Sequence, residues 1–213
     1  MKSFSSIVFN WDLFEKELEE FGDLLRENDT FEEQKQIRPF FKNRPQLCAG
    51  IGLINIFNPN SIAYEFDLWG KFTCDLVIGS SHTQMYSFIE FEDAQPDSLF
   101  KILKNKSTSE FGSRFEHGYS QIIDWFNILS NMEDNAEFEA RFGSRNINYC
   151  GILIIGRSAF LRKGNHDEAN RLRWRLENVV VNSKQISCYT YDEFYETIKG
   201  KTLLLKSMKT RSI

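Results

Sequence analysis

The hydrophobic period of this chain changes near its middle, and that change constrains the fold most. Short β-like runs, separated by turn residues, occupy residues 51–57, 61–68, 72–78 and 85–92. From Arg114 onward the apolar residues recur at helical spacing instead, at Phe115, Tyr119, Ile122, Phe126 and Leu129. We therefore expect three or four of the runs to form an antiparallel meander, followed along the chain by an amphipathic helix.

Further helices and strands are predicted on both sides of this centre. Helical spacing over residues 11–25, with Asn10 as a cap, indicates a first helix, and a second begins near Phe31 and is interrupted by Pro39. Residues 43–46 are expected to form a turn and residues 93–113 a polar loop. After an acidic loop, the chain is predicted to continue as strand, helix, strand and helix at residues 150–155, 168–178, 186–191 and 192–199. This order indicates an α/β (α+β-like) fold.

The size of the chain is sufficient for one sizeable core. It has 213 residues, of which 41% are hydrophobic and 15% aromatic. We predict a helical N-terminal extension at residues 1–45 packed on the core, a main domain at residues 46–200 and a basic tail at residues 201–213. The net charge of −4 excludes a uniform attraction to nucleic acid, so the tail either contacts phosphates locally or only solubilises the protein.

Membrane proteins and disulfide or zinc proteins are excluded by composition. The longest uncharged apolar stretches are shorter than the roughly 18 residues of a membrane span, and the N-terminus lacks the apolar core of a signal peptide. We therefore expect a cytoplasmic protein with no membrane partner. The cysteines are scattered singly beside apolar residues, so they are expected to be buried free thiols: Cys48, Cys74, Cys150 and Cys188.

Two glutamates flank one phenylalanine at the end of the fourth β-like run. Because successive side chains of a strand point to opposite faces, Glu90 and Glu92 share one face, while Ile89 and Phe91 take the other. Neighbouring carboxylates repel unless a cation lies between them, and oxygen clusters of this kind suit Mg²⁺ or Mn²⁺. Asp75 follows another apolar segment and is predicted to contribute to the same cation site. The alternative is a solvated acidic face on an edge strand.

The predicted helix after this run has a polar face, formed by Arg114, His117, Gln121 and Asp124. This face could look toward the acidic pair. For His117, a surface or packing role is favoured over that of a general base, and Trp125 is predicted to lie in the core. Three later arginines spread around their own helix and are predicted to be solvated: Arg171, Arg173 and Arg175.

An ordered set of short motifs resembles one known family. The set comprises FFKNRPQL at residues 40–47, Glu65 ahead of Asp75, EFE at 90–92, HGYSQIIDW at 117–125, IGRS at 155–158 and YTYDEF at 189–194. Over residues 31–199 this set is similar to the Shedu anti-phage nuclease domain. The resemblance implies a PD-(D/E)XK restriction-endonuclease-like core, with a central mixed sheet flanked by helices. It also implies Mg²⁺- or Mn²⁺-dependent hydrolysis of DNA phosphodiester bonds by a metal-activated water.

The resemblance implies roles for individual acidic and polar residues. Asp75 and Glu90 correspond to metal-binding acids, and the backbone carbonyl of Phe91 is expected to complete the metal's ligands. Glu65 matches an upstream glutamate that binds the metal directly or through water. Gln121 falls where related proteins place a polar residue near the attacking water or the phosphate.

Basic residues are predicted to contact the DNA. Arg157 matches the family's Gly-Arg, where a guanidinium holds a phosphate; the alternative is a structural pairing with a carboxylate or with exposed carbonyls. Lys101, Lys104 and Arg114 are further candidates, and the segment at residues 100–113 is a candidate moving element. The expected partners are phage or plasmid DNA, further copies of this chain and a regulatory protein.

Glu92 departs from the family pattern, which has a lysine at this position. A lysine would balance the carboxylates and stabilise charge on the phosphate, whereas a glutamate does the opposite. Some restriction endonucleases of the superfamily use Glu-x-Glu, and Glu92 would then be a general base or a second-metal ligand. The alternative is a catalytically degenerate domain that binds DNA or a protein partner without cutting.

Overall fold

A mixed sheet forms the centre of the computed structural model, which describes residues 3–56, 58–104, 106, 108–162 and 167–210. The strands are β1 (Ser5–Ser6), β2 (Ser61–Leu68), β3 (Phe72–Ser80), β4 (Met85–Phe91), β5 (Phe100–Lys101), β6 (Glu110–Phe111), β7 (Asn148–Ile154) and β8 (Ile186–Tyr189). The main sheet has the order β1-β2-β3-β4-β7-β8, and β5 pairs only with β6. Strands β1 to β4 are antiparallel neighbours, whereas β4, β7 and β8 are parallel. The predicted α/β fold with a central mixed sheet is thus confirmed.

Helices cover both faces of this sheet. They are α1 (Trp11–Glu27), α2 (Arg38–Lys42), α3 (Pro45–Gly52), α4 (Ser113–Met132), α5 (Ala136–Phe142), α6 (Glu168–Asn178) and α7 (Tyr191–Thr210), with a π-helical turn at Glu33–Ile37 before α2. The Asn10 side chain accepts a hydrogen bond of 3.0 Å from the Leu13 N–H, so it caps α1 as predicted. The helices predicted at residues 11–25, after Arg114 and at residues 168–178 are all present.

The two faces of the sheet bury two separate cores. One core joins strand residues Leu76 and Ile89 to helices α1, α3 and α7, through Phe14, Phe21, Leu47 and Phe194. The other joins Val77 and Phe88 to helices α4, α5 and α6, through Phe115, Trp125, Phe138 and Leu172. Trp125 is fully buried, as predicted. Adjacent residues of one strand therefore serve opposite cores, which is the period of two expected of a central strand.

The β-like run at residues 51–57 is not a strand. Helix α3 ends at Gly52, and the N–H groups of the next three residues donate back to carbonyls in α3 as tight turns; residue 57 lies outside the described residues. A Cβ on Gly50 would lie 2.1 Å from Cε2 of Phe14. Helix α3 therefore packs against α1 only because Gly50 has no side chain, and this packing overrides the strand-forming composition of the run.

Other predicted loops contain regular structure. The turn expected at residues 43–46 includes the start of α3, with Pro45 in the first helical turn, where its missing N–H costs nothing. The polar segment at residues 93–113 contains the β5–β6 hairpin. The acidic loop contains α5, whose Phe138 and Phe142 are buried. Short elements of this kind are stabilised by the core that they cover and carry little periodicity of their own.

The C-terminal helix is longer than predicted. Helix α7 runs through Thr210 and crosses the proposed boundary at residue 200, while residues 211–213 lie outside the described part. The division into extension, domain and tail stays a prediction. The four cysteines are free; Cys48, Cys74 and Cys188 are buried as expected, whereas Cys150 is only partly buried, so that prediction was wrong for Cys150. Among the described residues, none of the helices combines the length and apolar character that crossing a membrane requires.

Candidate active site

The strands separate at the point where the acidic residues lie. The ladder between β3 and β4 ends at the pair Leu76–Ile89, so Asp75 and Glu90 are the next residues opposite each other. The Phe91 N–H donates instead to Oδ2 of Asp75 at 3.1 Å, so a side chain replaces the next ladder bond. Cys74 and Leu76 belong to different cores, although residues two apart share one face of a regular strand. Strand β3 therefore kinks at Asp75, and the kink opens the sheet around both carboxylates.

Glu90 carries a buried carboxylate oxygen, Oε2, that has no hydrogen-bond partner in the described structure. The residue is 5% exposed. Burial raises the pKa of Glu90 well above its ordinary value, and the neighbouring Glu92 and Glu33 raise it further. A buried carboxylate oxygen without a donor is costly, so this atom is poised to bind a proton or a cation.

Glu92 faces the same cavity but has two partners from α4. Its Oε1 lies 3.0 Å from Nδ1 of His117, and its Oε2 lies 3.7 Å from Nη1 of Arg114. Burial raises the pKa of Glu92, while His117 and Arg114 oppose that change. As predicted, Glu90 and Glu92 line one cavity, and Ile89 and Phe91 point into the opposite core.

Helix α4 can bring these partners close because of one glycine. A Cβ on Gly118 would lie 2.7 Å from Cδ1 of Leu153 and 3.1 Å from Cγ of Glu92. The helix therefore rests almost directly on the ends of β4 and β7. One turn later, Gln121 lines the same cavity as Glu90, and its Oε1 is buried without a hydrogen-bond partner in the described part of the chain.

Arg38 is the functional candidate that the sequence patterns missed. Its guanidinium donates to Oδ1 of Asp75, and its Nε lies 3.1 Å from Oε1 of Glu33. The π-helical turn inserts one extra residue per turn before α2 and so places Glu33 and Arg38 at the same cavity. Burial raises the pKa of Glu33, with Glu92 and Asp93 acting in the same direction. The sequence signal that could have located Arg38 is Pro39, because a proline favours the first turn of a helix and so marks the start of α2.

Two neighbouring cavities make up the candidate site. One, of 380 Å³, includes Asp75, Glu65, Tyr64 and Phe91 in its lining. The other, of 480 Å³, includes Glu33, Glu90, Glu92, Arg114, His117 and Gln121. Gln34 and Arg38 line both cavities, so they form the wall between Asp75 and the two glutamates of β4. Asp75, Glu90 and Glu92, which were predicted to act together, thus lie around Arg38.

Glu65 lies beside Asp75 at the rim of the first cavity. The pairs Tyr64–Leu76 and Phe66–Cys74 place Glu65 opposite Asp75 in the register of β2 and β3. Its φ of 49° is in the left-handed region, which is uncommon for a residue other than glycine. Its side chain is 41% exposed, with Oε2 lying 3.9 Å from Nζ of Lys42. Glu65 is therefore nearer to solvent than Asp75 and Glu90 are.

Arg157 is engaged elsewhere in the fold. Its Nε and Nη2 donate to Asp192 at 2.9–3.1 Å, Nη2 also donates to the Leu25 carbonyl at 3.0 Å, and Nη1 donates to the Asn28 carbonyl. The residue is 9% exposed. These contacts join the end of α1 to the start of α7, and they support the structural alternative for Arg157 over phosphate binding.

The other predicted DNA-binding residues divide between two places. Arg114 lines the acidic cavity and lies 2.8 Å from Oδ2 of Asp93. Lys101 lies opposite Glu110 in the register of the β5–β6 hairpin, and Lys104 is exposed in the segment between these two strands. Neither lysine lines the two acidic cavities.

A divalent cation fits part of this arrangement. The partnerless Oε2 of Glu90 is the kind of hard oxygen that Mg²⁺ and Mn²⁺ prefer, and Asp75 lies opposite it in the strand register. Within the described ranges, no group of three or more His, Cys, Asp or Glu side chains is arranged to hold a metal ion. The positive charge beside Asp75 comes from Arg38.

The fold and this geometry define an α/β protein with a buried carboxylate site at the kinked end of its central strands. The family model described as Shedu protein SduA, C-terminal, matches residues 31–195, which is most of the chain and contains every residue of the two acidic cavities. No curated protein matches this chain. The chain belongs to the Shedu family, and this membership indicates a role in anti-phage defence.

Proposed function

We propose that this chain is a divalent-metal-dependent DNA endonuclease of the PD-(D/E)XK superfamily that acts in anti-phage defence. The observation that carries the proposal is the buried, partnerless Oε2 of Glu90 at the point where β3 and β4 separate beside Asp75. Family membership and the mixed sheet support the same assignment. DNA as the substrate, self-assembly and a regulatory protein partner belong to the proposal.

Asp75 and Glu90 would hold Mg²⁺ or Mn²⁺, with the Phe91 carbonyl and the more exposed Glu65 as further oxygen ligands. When bound, such a cation neutralises the carboxylates and stabilises negative charge on a phosphodiester. Because Arg38 already balances Asp75, its guanidinium has to move away or share this carboxylate when a cation binds.

Proton transfer falls to Glu92 and His117. Burial raises the pKa of Glu92, which makes this carboxylate a stronger proton acceptor for a water. His117 is 68% exposed at its side chain and lies within hydrogen-bond distance of Glu92, so it connects this carboxylate to solvent. Gln121, whose Oε1 is buried without a partner in the described structure, would accept a hydrogen bond from the same water.

A catalytically degenerate module that binds DNA or a protein partner is the second candidate. Two observations favour this candidate. The Arg38 guanidinium is bound to the Asp75 carboxylate, and Glu92 is found where the family pattern has a lysine. A guanidinium fixed on the carboxylate would replace the metal permanently, and Glu92 would then add charge without catalysis.

Cleavage of supercoiled, linear and single-stranded DNA separates the two candidates. The native chain, Glu90→Ala and the control Glu139→Ala, whose carboxylate pairs with Arg145 on the surface, are compared in Mg²⁺, Mn²⁺ and EDTA. The nuclease proposal expects metal-dependent cutting by the native chain and the control, and none by Glu90→Ala. No cutting by the folded native chain on any substrate, with DNA still retained in a filter-binding assay, supports the degenerate module.

A further inference from the structure

A second groove lies outside the acidic cavities, between α6 and the β5–β6 hairpin. It has a volume of 500 Å³ and is lined by Phe111, Asn170, Arg171, Trp174 and Arg175. Trp174 is 66% exposed, although burying an indole ring contributes more than burying most other side chains. The exposed ring is therefore available to a ligand with an apolar face.

Stacked aromatic rings hold the floor of this groove in place. The ring centroids of Phe100 and Phe111 lie 4.7 Å apart, those of Phe111 and Phe115 lie 4.9 Å apart, and those of Phe115 and Tyr119 lie 5.5 Å apart. All three pairs are stacked. This column fastens the β5–β6 hairpin to α4, so the groove is preformed and little ordering entropy is lost when it binds a ligand.

Two guanidinium groups run along the aromatic column. Arg175 lies 4.6 Å from the centroid of Phe111, and Arg171 lies 5.2 Å from that of Phe100. Glu116 pairs with Arg175 at 2.6 and 2.9 Å. Arg171 instead donates to the neutral carbonyl and hydroxyl oxygens of Ser109, at 2.9 and 3.1 Å. Its charge is not balanced by those bonds and favours an anion at the groove.

We propose that this groove binds an unpaired nucleotide of single-stranded DNA. The base stacks on the Trp174 indole, and the adjoining phosphate lies beside Arg171. A stacking ring combined with a basic side chain is the usual chemistry of single-strand binding sites. The interior of duplex DNA cannot use the ring in this way, because both faces of each internal base are covered by neighbouring base pairs. The charge complementarity of Arg171 with phosphate distinguishes this occupant from an apolar protein segment.

The groove is adjacent to the proposed catalytic cavity. Glu116, which holds Arg175, precedes His117 on α4, and His117 lines the acidic cavity. We infer that a strand leaving the cavity over the first turns of α4 would pass the Arg175–Glu116 pair and reach the groove. The choice of DNA as the polymer rests on the proposed function, but the groove itself does not depend on catalysis.

Fluorescence anisotropy of labelled oligothymidylate in EDTA tests the groove without any cleavage. Trp174→Ala should weaken single-strand binding roughly 5- to 150-fold, the range for losing one base–aromatic stack, and should leave binding of a duplex of equal length nearly unchanged. Trp174→Phe keeps a ring and should retain most of the affinity. The matched control is Leu203→Ala, which removes another exposed apolar side chain, from α7.

Three results would overturn this proposal. One is single-strand affinity that is the same for the native chain and Trp174→Ala, or no single-strand binding by the native chain. Another is an equal loss on single strands and duplex, which would make the groove a general phosphate track. The third is a concentration-dependent dimer, seen by sedimentation, that Trp174→Ala abolishes without changing DNA affinity. Metal-dependent cutting is measured separately, so each idea can fail alone.

Discussion

The Arg38 guanidinium donates a hydrogen bond to Oδ1 of Asp75, a residue 37 positions later in the chain. The pair joins the first residue of α2 to the kink of β3 and separates Asp75 from Glu90 and Glu92. A protein side chain thus supplies the positive charge at the position where the proposed function requires a metal.

Replacing Arg38 should therefore change metal affinity directly. Arg38→Gln removes a positive charge beside Asp75, and Mn²⁺ binding measured by calorimetry should tighten by roughly 10-fold or more, since close charges interact by several kcal/mol. Arg44→Gln is the matched control because Arg44 pairs with Glu20. Equal Mn²⁺ affinity in the native chain and Arg38→Gln would show that Arg38 and the metal do not compete.

Glu90 should make the metal-free protein less stable as the pH rises. Burial raises its pKa in the folded state, so above the ordinary value of about 4.3 the native state binds more protons than the unfolded state. The free energy of unfolding then falls with increasing pH. Glu90→Gln should reduce this fall and raise the free energy of unfolding near pH 7 by about 1 kcal/mol or more.

Chemical denaturation in EDTA at several pH values measures this effect. Glu139→Gln is the control, because Glu139 is a surface residue paired with Arg145. If the free energy of unfolding depends on pH in the same way for Glu90→Gln and the native chain, the pKa of Glu90 is not raised in the folded state.

Introducing the family's lysine at position 92 as a single substitution should destabilise the protein. Glu92→Lys places a cation beside Arg114 and His117, in a site where Glu92 is buried. It should cost about 1–3 kcal/mol of unfolding free energy, because repulsion by Arg114 and loss of the His117 contact outweigh the attraction of the lysine to Glu90. Adding Arg114→Glu should recover 1 kcal/mol or so, as a double-mutant cycle would measure. Arg145→Glu in place of Arg114→Glu should recover nothing; recovery by both alike would contradict specific pairing.

Arg157 is expected to affect folding and not DNA affinity. Arg157→Lys loses the forked contact with Asp192 and the bonds to carbonyls at the end of α1, so it should destabilise the protein by about 3 kcal/mol. The exposed control Arg173→Lys should lie within about 0.5 kcal/mol of the native chain. A folded Arg157→Lys variant with strongly weakened DNA binding would support the phosphate-binding alternative.

Replacing each of two helical glycines by alanine should change the stability of the protein in opposite directions. In Gly118→Ala the new methyl meets Leu153 and Glu92, so overpacking should destabilise the protein by about 1–3 kcal/mol. A Cβ on Gly200 in α7 has no neighbour within 4 Å, and Gly200→Ala should stabilise by about 0.5–1 kcal/mol through helix propensity. Thermal unfolding of both variants is the measurement. Stabilisation by Gly118→Ala would mean that α4 does not rest closely on β4.

Local patterns predicted the elements whose buried face repeats regularly. Helices α1 and α4 have apolar residues at helical spacing, and strands β3 and β4 are short apolar runs whose successive side chains alternate between the two cores. The same alternation correctly put Glu90 and Glu92 on one face, because side-chain direction in a strand depends only on adjacent residues. The strand predicted at residues 51–57 failed because α3 extends to Gly52 and packs against α1, where Gly50 leaves room for Phe14.

The sequence by itself determined the α/β order, the family and the acidic pair, because periodicity and motif spacing are properties of neighbouring residues. Only the tertiary structure decided that Arg38 reaches Asp75, that Arg157 links α1 to α7 and that Trp174 borders a preformed groove. Each of these contacts joins segments distant in the chain. Their partners are chosen by packing of helices against the sheet, which no local pattern specifies.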